Sequence, residues 1–186
     1  METERYEALI DAILAIILTI IVLEIPMASD GSWAALFEVR LEFIIYALSF
    51  IVVFNFWNYT NNMYSLVNKI NHKAIWTMGL ALFMMSLLPY LTIFVAENFN
   101  SFIPHAFYGI NYVIVDILCI LHTNELKNSD PGNIALQIAF NNYNAYYSTI
   151  IIVAIGFIVG YFLWPPAIGF SCLLSIPAIW IIHNRS

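Results

Sequence analysis

Charge is the scarcest commodity in this chain. Of its 186 residues only 10% are charged, where a soluble domain carries roughly 25%. The remainder is correspondingly apolar, with 62% hydrophobic residues and a mean hydropathy of +0.82. A water-soluble fold of this length still leaves much of its surface exposed, so it has nowhere to hide that much apolar material. A lipid bilayer can take it up, and the length suits one compact membrane domain.

Other absences narrow the function. Six lysines and arginines are too few for a nucleic-acid-binding face, and the net charge of −6 is spread along the chain. The two cysteines, Cys119 and Cys172, sit inside apolar runs without CxxC or zinc spacing, so they read as buried reduced thiols. Of the histidines, His105, His122 and His183 read as interfacial and His72 as a loop residue. None has a metal-ligand partner at helical spacing, so no metal is expected. There is no phosphate-binding glycine loop, no nucleophile elbow and no HExxH, which leaves enzyme function without support and implies no cofactor. The Thr-Val-Gly-Tyr-Gly run of potassium-channel filters is also missing. The acidic start Met1-Glu-Thr-Glu-Arg5, with no small-residue cleavage site after the apolar run, is not expected to be a cleavable signal.

What is present is a series of apolar runs of about the 20 residues that a span requires. They predict an all-α integral membrane protein with six transmembrane helices: Tyr6–Pro26, Leu41–Tyr59 with an extension toward Val67, Ala74–Ala96, Ala106–His122, Tyr146–Trp164 and Ala167–Ile182. Residues 1–186 form one six-helix domain in this reading. Pro165-Pro166 interrupts the last apolar stretch and predicts a tight hairpin. Pro89 and Pro177 fall within spans, where a kink is tolerated. The segment from His122 to Ala145 opens with turn residues and continues as a weakly amphipathic stretch, either an interfacial helix or an extension of span five.

Lysine and arginine set the orientation. With six spans, Arg5, Lys69, Lys73, Lys127 and Arg185 lie on one side and Arg40 alone on the other, which places both termini in the cytoplasm. Glu24, Asp30, Glu38 and Glu97 gather on the outer side, as solvated loop charges or as an entrance that concentrates cations.

Polar groups inside spans are where membrane function is sought. In span one, Glu7 and Asp11 are one helical turn apart and share a face. Ile16, Thr19, Ile20 and Leu23 make a second stripe that points roughly away from Asp11. That stripe either faces lipid or the core, as any aliphatic stripe can, or faces a pore. Thr19 can satisfy its hydroxyl on a carbonyl one turn back. Asp116 is the other interior acid, and a buried structural partner accounts for it more simply than ion coordination.

The first span also carries a family pattern. Arg5-Tyr-Glu-Ala-Leu9-Ile10-Asp11, with Thr19 eight residues after the aspartate and then Leu23, resembles the first helix of the transmembrane-protein-175 family, the lysosomal potassium channel and its prokaryotic homologues. Tyr46–Phe50 through Trp57 resembles the family's second span. Ile75-Trp76 with Ser86-Leu-Leu-Pro89-Tyr90 resembles its third. The family's Phe-Ser stands here as Leu9-Ile10, its histidines after the tryptophan as Thr60, Asn61 and Asn62, and its asparagine as Met78. The resemblance implies a tetramer of six-span subunits in the cell membrane, around a central pore lined by helix 1 and passing potassium ions. It places hydrophobic constrictions at Ile16, Ile20 and Leu23, with Thr19 beside them influencing selectivity. It assigns Arg5, Asp11 and Trp57 to a polar network that holds helix 1, and the departures leave two readings, a network rewired through Asn61 or a divergent member with altered conduction. Rival readings are a non-conducting scaffold or accessory protein of the same fold, and a secondary transporter, for which Asp116 is the sole hint and repeat symmetry is lacking.

Overall fold

The structure, a computed structural model, describes residues 3–141 and 143–183, with side chains left out at 143–146 and 179–183. The side chain of His183 and all of Arg185 lie outside the described residues. Among the described residues the chain is helical throughout: α1 (Thr3–Leu23), α2 (Trp33–Glu38), α3 (Arg40–Tyr64), α4 (His72–Ser86), α5 (Leu88–Glu97), α6 (Phe102–Ser129), α7 (Ile134–Ala139), α8 (Tyr143–Phe162) and α9 (Ala167–His183).

Among the described residues, four stretches are long and apolar enough to cross a bilayer: Thr3–Leu23, Arg40–Tyr64, His72–Glu97 and Phe102–Ser129. Two shorter apolar helices follow, Tyr147–Phe162 and Ala167–Ala178. The third stretch is two helices rather than one. It breaks at Leu87, and Pro89 falls in the first turn of α5, where its missing N–H would have had no helical acceptor anyway. Polar caps open several helices. The side chains of Ser32, Asn71 and Asn133 accept from the amides of Ala35, Ala74 and Leu136 at 3.1, 2.7 and 3.1 Å, satisfying donors that a helix start leaves orphaned.

The segment after His122 differs from the sequence expectation. Helix α6 does not stop at His122 but runs to Ser129, so its polar last turns are helix rather than loop. The amphipathic stretch is a separate short helix, α7, and not an extension of α8. Helix α7 folds back against the end of α6: Gln137 Nε2 donates to the Lys127 carbonyl at 3.0 Å, and Lys127 Nζ donates to the Phe140 carbonyl at 2.9 Å.

Helix α6 is the hub and touches α4, α5, α8 and α9. Helices α8 and α9 form the hairpin expected at Pro165-Pro166, with Gly156 packed on Ser171 and Gly160 on Ile168. Lipid tails are as apolar as leucine, so helices in a bilayer associate through close packing and interhelical hydrogen bonds rather than hydrophobic burial. The fold uses both devices. A Cβ added at Gly160 would come within 2.6 Å of Ile168 Cγ1, and one at Gly109 within 2.5 Å of Ile168 Cγ2. Buried hydroxyl pairs such as Ser49–Tyr108 and Tyr112–Ser175 lie near these contacts, and further hydrogen bonds tie the other end. The start of α1, the end of α3, the start of α4 and the end of α6 are tied at one end of the bundle, by Tyr6 to the Ile75 carbonyl, Ser129 to the Lys69 carbonyl and Asn133 to the Leu66 carbonyl. Arg5, Lys69, Lys73 and Lys127 therefore share that end, and Arg40 lies at the other.

Candidate functional site on helix α1

Helix α1 leans on α3, α4 and α5. Its contact stripe is Tyr6, Ile10, Leu14, Ile17 and Ile21, all buried at spacings of three and four residues. The opposite face is left bare by the rest of the subunit. Ile16 is 57% exposed and Leu23 80% exposed, with Thr19 and Ile20 exposed between them. The stripe picked out by periodicity is thus one of bare side chains and does not face the subunit core. Thr19 Oγ1 donates to the Ile16 carbonyl at 2.8 Å, so its hydroxyl is satisfied within its own helix.

Two of the three expected network residues meet. Trp57 Nε1 on α3 donates to Asp11 Oδ1 at 3.0 Å, linking α1 to α3 at an exposed level. Arg5 is exposed and makes no hydrogen bond or ion pair to a described residue. The family departures pack as apolar or local groups. Ile10 and Met78 are fully buried, Leu9 is exposed, and Thr60 Oγ1 donates to the Trp57 carbonyl at 2.8 Å. Asn61 is exposed and its side chain makes no hydrogen bond to a described residue.

Polar contacts that sequence reasoning missed lie beneath the start of α1. Tyr6 Oη donates to the Ile75 carbonyl at 2.9 Å. The Tyr6 ring meets the Tyr64 ring edge-on, with centroids 6.0 Å apart. Tyr64 Oη lies 2.8 Å from His122 Nε2, and His122 Nδ1 lies 2.9 Å from the Ala74 carbonyl and 3.2 Å from Thr77 Oγ1. His105 and His122, read as interfacial, are both buried within the subunit, His122 completely. The partners of His122 come from other helices, dozens of residues away, which is why spacing along α6 gave no sign of them, while His105 Nε2 donates to the Phe99 carbonyl in the loop before its own helix.

The acids behave in two ways. Glu24, Asp30, Glu38 and Glu97 are all exposed. Hydrogen bonds from the Ser32 hydroxyl and then its amide hold the Asp30 carboxyl below the usual range, the amide contact being 2.7 Å. Asp116 lacks the structural partner expected for it: its Oδ2 is enclosed without a hydrogen bond to a described residue. Cys119 and Cys172 are buried and free.

The family described as "Endosomal/lysosomal potassium channel TMEM175" matches residues 5–89, which include α1 and the α3 and α4 residues that touch it. A curated potassium channel from Chryseobacterium sp. (strain P1-3) is 32% identical over 185 residues, covering 100% of this chain and 95% of that one. The crystal structure of a lysosomal potassium-selective channel TMEM175 homolog from Chamaesiphon Minutus superposes with a TM-score of 0.67 at 20% identity, over 98% of this chain and 95% of the other. At that identity the superposition speaks to the fold, while the full-length relative carries membership. This membrane protein belongs to the TMEM175 family.

Proposed function

We propose that this chain is a potassium-permeable channel of the cytoplasmic membrane, and that its conduction path is lined by α1. Family membership supports a channel rather than an enzyme. The observation that carries the pore assignment is the bare face of α1, with Ile16, Thr19, Ile20 and Leu23 left uncovered on a helix whose other face is fully packed. In this reading the single domain has six spans, α8 and α9 being the fifth and sixth, with both termini cytoplasmic. Four copies close a ring in which Ile16, Ile20 and Leu23 form successive constrictions and Thr19 stands beside them.

Such rings control flow by narrowing and dewetting. They carry no charge to coordinate an ion, so discrimination among cations rests on the cost of stripping water from each. Asp11 and Trp57 hold α1 to α3 behind the ring, and Arg5 acts at the exposed start of the helix.

The test is potassium flux from proteoliposomes, comparing wild type with Ile16→Asn, alongside the oligomeric state in lipid. A polar ring at Ile16 wets the constriction and raises flux by about tenfold, the effect of roughly 1.4 kcal/mol on the barrier. Flux that is unchanged by Ile16→Asn removes the constriction from that position. An assembled protein without any potassium flux transfers the chain to the non-conducting scaffold reading, and a strict monomer ends the pore reading altogether.

A further inference from the structure

Ile10 and Met78 are buried apolar residues, so the polar seat of α1 in this chain has to be made elsewhere. The structure places it on three helices that converge under Tyr6. We infer that His122 on α6 is the positioning residue that sets this seat, acting through Tyr64 on α3 and the first turn of α4, and thereby fixes where the bare face of α1 stands. The inference rests on the pore reading and extends it to a residue that touches neither α1 nor any ion.

The geometry defines the tautomer. A backbone carbonyl can only accept, so the 2.9 Å contact to Ala74 puts the proton on Nδ1. Nε2 is then a lone pair and accepts from Tyr64 Oη at 2.8 Å. Thr77 Oγ1 already has the Lys73 and Ala74 carbonyls as acceptors at 3.1 and 3.0 Å and completes the surround. Both ring nitrogens of a completely buried imidazole are therefore used, and each is used on a different helix.

Tyr64 is buried as well, and its orientation follows from this bond. Its ring supplies the edge-to-face surface for Tyr6 at 6.0 Å. The Tyr6 hydroxyl then binds the carbonyl of Ile75, the residue after Ala74. His122 consequently controls both halves of the seat, the ring that Tyr6 leans on and the helical turn that Tyr6 binds. An imidazole matches this task because it is flat, rigid and two-ended. A leucine or phenylalanine fills the volume but bridges nothing. A glutamine amide, extending one bond further than asparagine, can still reach the Tyr64 hydroxyl.

A dewetting gate is sensitive to small displacements of its lining, and helix shifts of about 1–2 Å are ordinary switching movements. Loosening the seat should therefore change what each open channel does, and not only how many channels fold. Interhelical hydrogen bonds in bilayers are worth enough to shift an equilibrium about threefold each.

The experiment compares wild type, His122→Leu, His122→Gln and Tyr64→Phe in planar bilayers, reading unitary potassium conductance and open probability. A second readout is the pulsed electron-spin distance between labels at Ala8→Cys on α1 and Ile117→Cys on α6, which does not require conduction. The expected result is a change of about threefold or more in open probability or unitary conductance for His122→Leu. His122→Gln restores most of it, and Tyr64→Phe moves in the same direction as His122→Leu. The label distance in His122→Leu shifts by about 1–2 Å. A His122→Leu protein with fewer channels but unchanged unitary behaviour and unchanged distance overturns the inference. Where His122→Leu does not fold, Tyr64→Phe decides, since it removes one hydroxyl and keeps the ring; unchanged unitary behaviour and distance in that variant overturn the inference. A silent wild type defeats the pore reading, and the label distance then judges the seat by itself.

Discussion

The two ends of the bundle are built from different interactions. At the end where α1 begins, buried polar groups are paired across helices. His122 bridges Tyr64 and Ala74, Asn71 Nδ2 donates to the Glu125 carbonyl at 3.1 Å, and Asn133 Nδ2 donates to the Leu66 carbonyl at 2.6 Å. At the opposite end, His105 donates from Nε2 to the Phe99 carbonyl at 2.7 Å, while its Nδ1 and Glu42 Oε2 are enclosed without a described partner. That end is joined largely by close packing, with Gly109, Gly156 and Gly160 each letting a neighbouring helix approach to where a Cβ would collide, beside a buried hydroxyl cluster in which Ser49 Oγ lies 3.1 Å from Tyr108 Oη and 2.7 Å from Thr92 Oγ1. Gly79, toward the paired end, has nothing within 4 Å. The difference teaches that one helix bundle can be fixed at one end by direction, through a bridging imidazole and backbone carbonyls, and at the other mainly by shape with a compact hydroxyl cluster. The directional end is the one beneath the candidate pore helix.

The largest effect should come from breaking the shape-fitted end. Gly156→Val puts side-chain atoms into the space of Ser171, whose hydroxyl already binds the Ile168 carbonyl at 2.7 Å. Ser171 is buried in the hairpin, and a Cβ at Gly156 would also come within 3.2 Å of the Ala167 carbonyl. Overpacking of this kind costs about 1–3 kcal/mol, and the clash at Gly156 belongs at the upper end of that range. Thermal unfolding in detergent should show the midpoint fall more for this variant than for any substitution discussed below. A midpoint within one degree or so of wild type would mean the hairpin is looser than described.

The directional end is tested by its histidine, against the histidine of the other end. His122→Leu leaves the Tyr64 hydroxyl to find a new partner in a buried site, while the Ala74 carbonyl keeps Thr77 Oγ1 at 3.0 Å. Leaving such a group unsatisfied costs about 1–3 kcal/mol. His105→Leu gives up a single bond to Phe99 and also removes an Nδ1 that has no described partner. The expected loss there is below about 1 kcal/mol. Unfolding midpoints of the two variants, measured side by side, should therefore separate clearly. Equal losses would erase the contrast between the two ends.

This contrast also explains what the sequence could and could not say. The apolar runs were readable because a bilayer demands length and composition, and both are local properties. The stripe Ile16, Thr19, Ile20 and Leu23 was readable because one helix fixes its own faces. The end of α6 was misplaced because Thr123, Asn124, Glu125 and Lys127 have loop-like polarity, whereas Thr123 and Lys127 are in fact buried against other elements. The break at Leu87 left no mark beyond Pro89, which a continuous span also tolerates. His105 and His122 were read alike because a lone sequence shows a residue type and not its partners. Their difference arises from Phe99, Tyr64, Ala74 and Thr77, three of which come from other helices. Arg5 makes no hydrogen bond or ion pair to a described residue of its own subunit, and its neighbours in space are not set by its neighbours in sequence.

A smaller effect of opposite sign is expected at Gly79. The position is exposed in α4 and an added Cβ meets nothing. Alanine restricts the unfolded backbone and favours helix by about 0.5–1 kcal/mol, so Gly79→Ala should raise the unfolding midpoint slightly. If it instead disrupts assembly while the subunit stays folded, that face of α4 is covered by another copy, and the paired end extends across subunits.

The smallest effect lies in the loop after α1, where hydrogen bonds are local and exposed. Asp30 is bound by Ser32 two residues away, and this contact holds its carboxyl below the usual range. A folded-state value below the unfolded one means that the charged form is favoured on folding. Its contribution is present above the ordinary carboxylate range and is lost as pH falls through the depressed value. Because Asp30 is fully exposed, solvent screens the effect and global stability should hardly register it. The measurable quantity is the titration of the Asp30 carboxyl carbon by NMR in labelled protein. Ser32→Ala should move that titration upward toward the ordinary range, because the hydroxyl is the larger of the two donors. An unmoved titration would assign the whole effect to the Ser32 amide, whose bond survives the substitution. In either case the histidines at the two ends should show no response, because this loop's hydrogen bonds do not enter the core.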